Sequence, residues 1–187
     1  MILFLFNRKK KSNDQKTNKS TNKPPYEISK EEYGRKCLSR LMLMSGEGYF
    51  QLFENSKKEM KFSHYLYYVQ SLLFITQMIL QGKYSDDDVN IIIDSTIIGF
   101  CELNTKIKPE GRQMLEQVFA SQYYQLVDIM GNNCDISNTT NIHKLANIFL
   151  ENCLFENKSC IILVYIDFMA FIKYHTSDIL NKNFILI

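Results

Sequence analysis

The stretch from Phe62 to Met78 constrains the fold more than any other part of the chain. Phe62, Tyr65, Leu66, Val69, Leu72 and Leu73 recur at i, i+3, i+4 and i+7, the spacing of one helix face. Tyr67, Phe74 and Met78 form a second stripe on another side. A helix that is apolar on two sides has to be covered on both, so this one is expected to be central. The pattern predicts a helix from about Ser56 to Leu80, with Gly82 placed at its C-terminal cap.

The remaining segments carry helical punctuation. Ser29-Lys-Glu-Glu32 has the form of a capping box and opens a helix from about residue 30 to Met44. Ser45-Gly46-Glu47-Gly48 reads as its stop, followed by a turn from Tyr49 to Glu54. Ser85 opens the next helix, which runs to about Thr105. Asp86, Asp87 and Asp88 complement the positive end of its dipole, and the tract lacks the alternating acids, Gly and final Glu of a calcium loop. Pro109 suits a first helical turn, and that helix is expected to stop at Gly131. A fifth helix over about 142–155, capped by Thr140 or Asn141, and a sixth over about 160–174 follow. A short helix from Ser177 to Asn181 then leads to the apolar tail Phe184–Ile187. The run Ile161–Ile166 is rich in β-branched residues, but it continues unpunctuated through Met169 and Phe171 and reads as helix.

These signals predict an all-α protein, a single compact bundle of about six helices over residues 27–187, with no sheet of more than two strands. Helices two, four and six are expected to form the core, through Leu66, Val69, Leu73, Leu115, Phe119, Leu126, Ile162 and Ile166. A chain of 187 residues with 45% hydrophobic side chains, 7 Gly and 3 Pro suffices for one core and excludes collagen-like, low-complexity and wholly disordered classes.

Charge is distributed unevenly. Residues 1–30 hold eight basic and two acidic side chains, a net of +6, which leaves −4 on the rest of a chain whose total is +2. Residues 7–25 contain no aliphatic or aromatic side chain that would offset the entropy of ordering them, so residues 1–26 are predicted to be a disordered basic leader. The leader begins with six apolar residues and then four cations, the reverse of a secretory signal. Phe4 and Phe6 inserting into lipid, with Arg8, Lys9, Lys10 and Lys11 meeting headgroups, would attract an anionic membrane surface. Nucleic acid is disfavoured as a partner by the acidic body and by the lack of interleaved aromatics.

Familiar chemistry is sparse. There is no phosphate-binding glycine loop, no GxSxG, no HExxH and no CxxC, and no cofactor or metal is expected. Cys37, Cys101, Cys134, Cys153 and Cys160 read as buried thiols of a reducing cytosol, with Cys101 and Cys153 nucleophile candidates only by elimination. His64, His143 and His175 fall on three different elements. Two acids interrupt apolar runs: Asp94 among isoleucines, with Glu102 two turns on, and Asp167 within Ile161–Ile172, with Tyr174 seven residues later. Such acids face solvent, pin helices together or serve as catalytic carboxylates. Asp94, Glu102 and Asp167 are therefore the catalytic candidates, and an enzyme would need them to converge within about 5–9 Å.

Tyrosines at 49, 65, 67, 68, 123 and 124 exceed the usual needs of a core, and Tyr is favoured at interfaces, which makes Tyr67, Tyr123 and Tyr124 candidates for partner binding. The reading that needs least special chemistry is a small cytoplasmic helical protein that binds another protein, an inhibitor, immunity-type or accessory protein being concrete forms. A peripheral protein on the inner face of the membrane and a carboxylate enzyme are the alternatives, and the balance falls against an enzyme.

Overall fold

A computed structural model describes residues 26–56, 61–104, 109–132, 134–153, 159–180 and 184–187. Among them the chain forms six helices: α1 (Lys30–Ser56), α2 (Phe62–Gln81), α3 (Asp86–Asn104), α4 (Pro109–Met130), α5 (Thr139–Asn152) and α6 (Ser159–Leu180). Two three-residue strands, β1 (Tyr26–Ile28) and β2 (Phe184–Leu186), complete the order. The protein is all-α.

The punctuation behaves largely as its chemistry requires. Ser29 Oγ accepts from the Glu32 amide at 3.2 Å, and Ser85 Oγ accepts from the Asp88 amide at 3.3 Å, each satisfying a donor of a first helical turn. The Ser85 hydroxyl donates to Asp88, which also meets the Lys30 ammonium at 2.6 Å, so the acidic tract fastens α3 to the start of α1. Gly131 ends α4 with φ at +91°, a conformation that a side chain disfavours. α5 starts earlier than predicted because Asn138, not Thr140 or Asn141, is its cap: the Asn138 side chain accepts from the Thr140 amide at 2.9 Å.

The first helix departs most from expectation. α1 runs straight through Ser45-Gly46-Glu47-Gly48 to Ser56. Gly48 is there for space. A Cβ on it would meet the Tyr68 hydroxyl at clashing distance and Asp167 Oδ2 at 3.2 Å, so the missing side chain lets α1 pass close to α2 and α6 together. The sixth helix also outruns its expected end, reaching Leu180 through the segment read as a separate short helix.

α2 is the central element. From His64 to Leu80 every residue except Tyr65 and Tyr67 is buried, and the helix touches all five others. Its polar groups are paired locally or across helices. Ser71 and Thr76 donate to carbonyls one turn back, and Gln70 Nε2 donates to the Phe119 carbonyl of α4 at 3.2 Å. Around it pack Leu38 and Leu41 of α1, Ile92, Ile97 and Phe100 of α3, Phe119 and Tyr123 of α4, Phe149 of α5 and Phe168 of α6. α1 and α3 are joined further by Thr96 Oγ1, which donates to the Gly34 carbonyl at 3.1 Å.

β1 and β2 pair in parallel, Tyr26 against Phe184 and Ile28 against Leu186. The entire bundle is the crossover between them. Ile28 is buried, and the Lys36 ammonium lies 5.0 Å from the Tyr26 ring centroid and 5.2 Å from that of Phe184. The strands thus tie the start of the described body to a point four residues beyond the end of α6. Among the described residues no helix is long and apolar enough to cross a membrane.

Candidate functional site

α6 (Ser-Cys-Ile-Ile-Leu-Val-Tyr-Ile-Asp-Phe-Met-Ala-Phe-Ile-Lys-Tyr at its first sixteen positions) is apolar around most of its circumference. One side is covered. Cys160, Val164, Phe168, Phe171 and His175, at spacings of four, four, three and four, are buried against α2, α5 and α1. The opposite side holds Ile162, Ile166, Met169 and Lys173 at spacings of four, three and four. Ile162 is 58% exposed and Ile166 54%, Met169 is half-buried, and Lys173 is exposed. Leu163 and Tyr174 widen the exposed strip on one flank. On the other, Tyr165 stacks on His143 of α5 with ring centroids 4.1 Å apart and planes 6° from parallel, which fixes the edge of the face.

This overturns part of the expected core. The sequence pattern places Ile162 and Ile166 in the interior, but among the described residues α6 has neighbours on one side only, and those neighbours take the Val164–Phe168–Phe171 side. Leu115 is half-buried, and the other five expected core residues, Leu66, Val69, Leu73, Phe119 and Leu126, are buried. The apolar residues of this exposed face are therefore present in the sequence, but their pattern there reads as core. The available signal was that α6 carries more apolar circumference than one layer of helices can cover.

The three candidate carboxylates are placed on different helix pairs. Asp94 of α3 accepts from the exposed Tyr124 hydroxyl of α4 at 3.1 Å. Glu102 of α3 meets Arg112 Nη1 of α4 at 2.9 Å, and the same guanidinium binds Glu116 at 2.7 Å. Asp167 faces Tyr68, not Tyr174: the Tyr68 hydroxyl donates to its Oδ2 at 3.5 Å, where α1, α2 and α6 converge at Gly48. Burial raises the Asp167 carboxyl above its ordinary value, and the Tyr68 bond partly opposes that. Each acid joins one helix to another.

The tyrosines do the same. Tyr65 exchanges a hydrogen bond with Ser45 of α1 at 3.0 Å, and the Tyr67 hydroxyl accepts from Gln122 of α4 at 3.3 Å. Tyr123, wholly buried, donates to Gln77 of α2. Of the three partner-binding candidates, then, Tyr123 presents no surface, Tyr67 is half-buried and Tyr124 is exposed. Phe4, Phe6, Arg8, Lys9, Lys10 and Lys11 lie outside the described residues.

A cavity of about 80 Å³ opens between α2, α4 and α5, lined by Tyr67, Gln70, Gln122, Gln125, Phe149 and Asn152 among others. Small-molecule sites are usually nearer 300–1,000 Å³. Its polar lining consists of amides and hydroxyls, Gln70 Nε2 donating to Gln122 Oε1 at 3.2 Å, and none of Asp94, Glu102 and Asp167 lines it. Burial pushes the Cys37 thiol up to about 12 and the Cys101 thiol up to about 11, values at which neither supplies a thiolate at neutral pH. No disulfide joins the five cysteines. Among the described residues no cluster of three His, Cys, Asp or Glu side chains forms a metal-binding group. Compared with known proteins, the chain matches no family model and has no significant match to a curated protein or a solved structure.

Proposed function

We propose that this protein acts by binding another protein through the outer face of α6, as an inhibitor, immunity-type or accessory protein would. The observation that carries the reading is the exposed Ile162–Ile166–Met169 stripe on a helix whose other side is fully packed. Exposed apolar residues scattered singly need no explanation, but a row at i, i+4 and i+7 is the geometry by which one helix face receives an apolar partner. Lys173 and His143 supply a polar rim. The dispersal of Asp94, Glu102 and Asp167 onto separate helix pairs, with none of them lining the cavity between α2, α4 and α5, weighs against a carboxylate enzyme.

The test is capture of partners from cell extract by the tagged full chain, compared with the Ile162→Glu/Ile166→Glu variant. Both positions are exposed, so the variant should fold. Loss of at least tenfold in recovery of a reproducible partner supports the reading. Equal recovery by both chains overturns it.

A further inference from the structure

The cavity between α2, α4 and α5 is walled by polar groups whose hydrogen bonds leave one acceptor and one donor unspent. We infer that it is a binding site for a neutral carboxamide, the group carried by acetamide and by asparagine and glutamine side chains. The inference stands apart from the α6 face and does not depend on it.

The direction of the hydrogen bonds is fixed from one end. Gln70 of α2 lines the cavity and is 1% exposed. Its Nε2 donates to the Phe119 carbonyl at 3.2 Å and to Gln122 Oε1 at 3.2 Å. A carbonyl only accepts, so the amide nitrogen of Gln70 has to face Phe119, and both of its hydrogens are used. Gln122, with its oxygen taken, donates through Nε2 to the Tyr67 hydroxyl oxygen at 3.3 Å. The chain of bonds ends there. Among the described residues no donor reaches Gln70 Oε1, and the Tyr67 hydroxyl proton has no acceptor.

Tyr67 and Gln70 are three residues apart on α2, so this donor and this acceptor share one helix face. A buried acceptor without a donor is unfavourable, so the site favours a ligand that brings an N–H to Gln70. A carboxamide does so, and its carbonyl accepts from Tyr67. A carboxylate has no N–H to give, and no Asp, Glu, Lys, Arg or His lines the cavity to balance a charge. Leu126, Ile148 and Phe149 form an apolar wall for the carbon end of the ligand. The cavity, at about 80 Å³, is about half the size of one that holds benzene, which leaves room for about four heavy atoms, as in acetamide.

The test titrates the full chain, labelled at isoleucine and leucine methyl groups, with acetamide and with acetate, followed by NMR. Acetamide should move the Ile148 and Leu126 methyl signals saturably at roughly millimolar concentration, the range open to so small a ligand. Ile92 of α3, which does not line the cavity, should stay in place, and acetate should move none of the three. Tyr67→Phe removes one neutral hydrogen bond and should weaken acetamide about fivefold, with the Ile92 signal reporting that the variant is folded. Shifts that do not saturate, an equal response to acetate, or undiminished binding by Tyr67→Phe would overturn the inference. A capped Ala-Gln-Ala peptide, with Ala-Glu-Ala as its control, separates the two sources of the group. Binding tighter than that of acetamide assigns the site to a protein side chain, and binding no tighter assigns it to a free small amide.

Discussion

α2 and α6 look alike in the sequence, and the fold treats them differently. Both are apolar on two sides, and both bury Val, Leu, Ile or Phe at helical spacing. α2 has neighbours all round it and is buried from His64 to Leu80, apart from two half-buried tyrosines. α6 lies at the edge, with α1, α2 and α5 on one side and nothing described on the other. Apolar circumference thus records what a helix is prepared to touch. Whether its own chain supplies the contact depends on how many other helices there are and where they run.

The largest effects should show that the inner faces of the two helices are equivalent. Leu73 of α2 and Phe168 of α6 are both at 0% exposure. Leu73→Ala should cost about 2–5 kcal/mol and Phe168→Ala about 3–5 kcal/mol, lost transfer energy plus a residual cavity. Urea unfolding of the two variants checks this, and a loss under about 0.5 kcal/mol at either site would mean that its helix is not packed as described.

The next effect belongs to α6 alone. His175 is 1% exposed, its ring centroid lies 4.7 Å from that of Phe171 with the planes tilted by 38°, and neither ring nitrogen has a hydrogen-bond partner among the described residues. Burial, and then the Arg40 cation, pull its pKa down from 6.5 to about 3. The folded protein keeps this ring neutral while the unfolded chain takes up a proton below 6.5, so stability is full above that pH and falls as pH drops toward 3. The slope is about 1.4 kcal/mol per pH unit, or roughly 2 kcal/mol lost by pH 5. Asp167, raised by burial, contributes with the opposite sign, so the histidine is read from the difference between the native chain and His175→Gln. Unfolding free energies from about pH 7.5 to about pH 5 should slope more for the native chain than for His175→Gln. Equal slopes would show that the ring is hydrated or paired.

Gly48 tests the point where α1 passes both helices. Alanine would gain about 1 kcal/mol of helix propensity. It would also push a methyl against the hydroxyl of Tyr68, whose ring is held by Phe149 and Phe168, and overpacking of that kind costs about 1–3 kcal/mol. The expected net is a loss of about 1 kcal/mol. Adding Tyr68→Phe removes the obstructing oxygen and should recover most of that loss. If Gly48→Ala stabilises the protein alone, α1 does not pass this close.

Local chemistry was legible where one residue decides the outcome. Ser29, Ser85, Pro109 and Gly131 mark the boundaries their side chains or φ values predict. Where the outcome depends on a distant element, the sequence misleads. Gly46 and Gly48 read as a stop because their local preference is for turns, and only the approach of Tyr68 and Asp167 explains Gly48 inside a helix. β1 and β2 have three residues each, too few to show alternation, and they meet only after the whole bundle has been built between them. Sequence spacing aligns Asp167 with Tyr174 on its own helix, but its hydrogen-bond partner, Tyr68, comes from α2. The tyrosines pointed outward by composition, yet most of their hydroxyls reach across to a neighbouring helix. At the candidate site the apolar residues themselves were legible, and the side left uncovered was not.

The smallest stability effect is the sharpest test of the comparison. Ile166→Glu would be severe if the outer face of α6 were core, because a carboxylate without a partner in an apolar interior costs several kcal/mol or unfolds the protein. On the exposed face it should change stability by no more than about 0.5 kcal/mol, the range of ordinary surface substitutions. The change also breaks the apolar row at its middle position, leaving Ile162 and Met169 seven residues apart with a charge between them. Stability should therefore hold while partner recovery falls, a separation that no substitution from His64 to Leu80 of α2 should show, since each of those residues is buried or half-buried within this chain. Loss of both together would return Ile166 to the core and remove the distinction between the two helices.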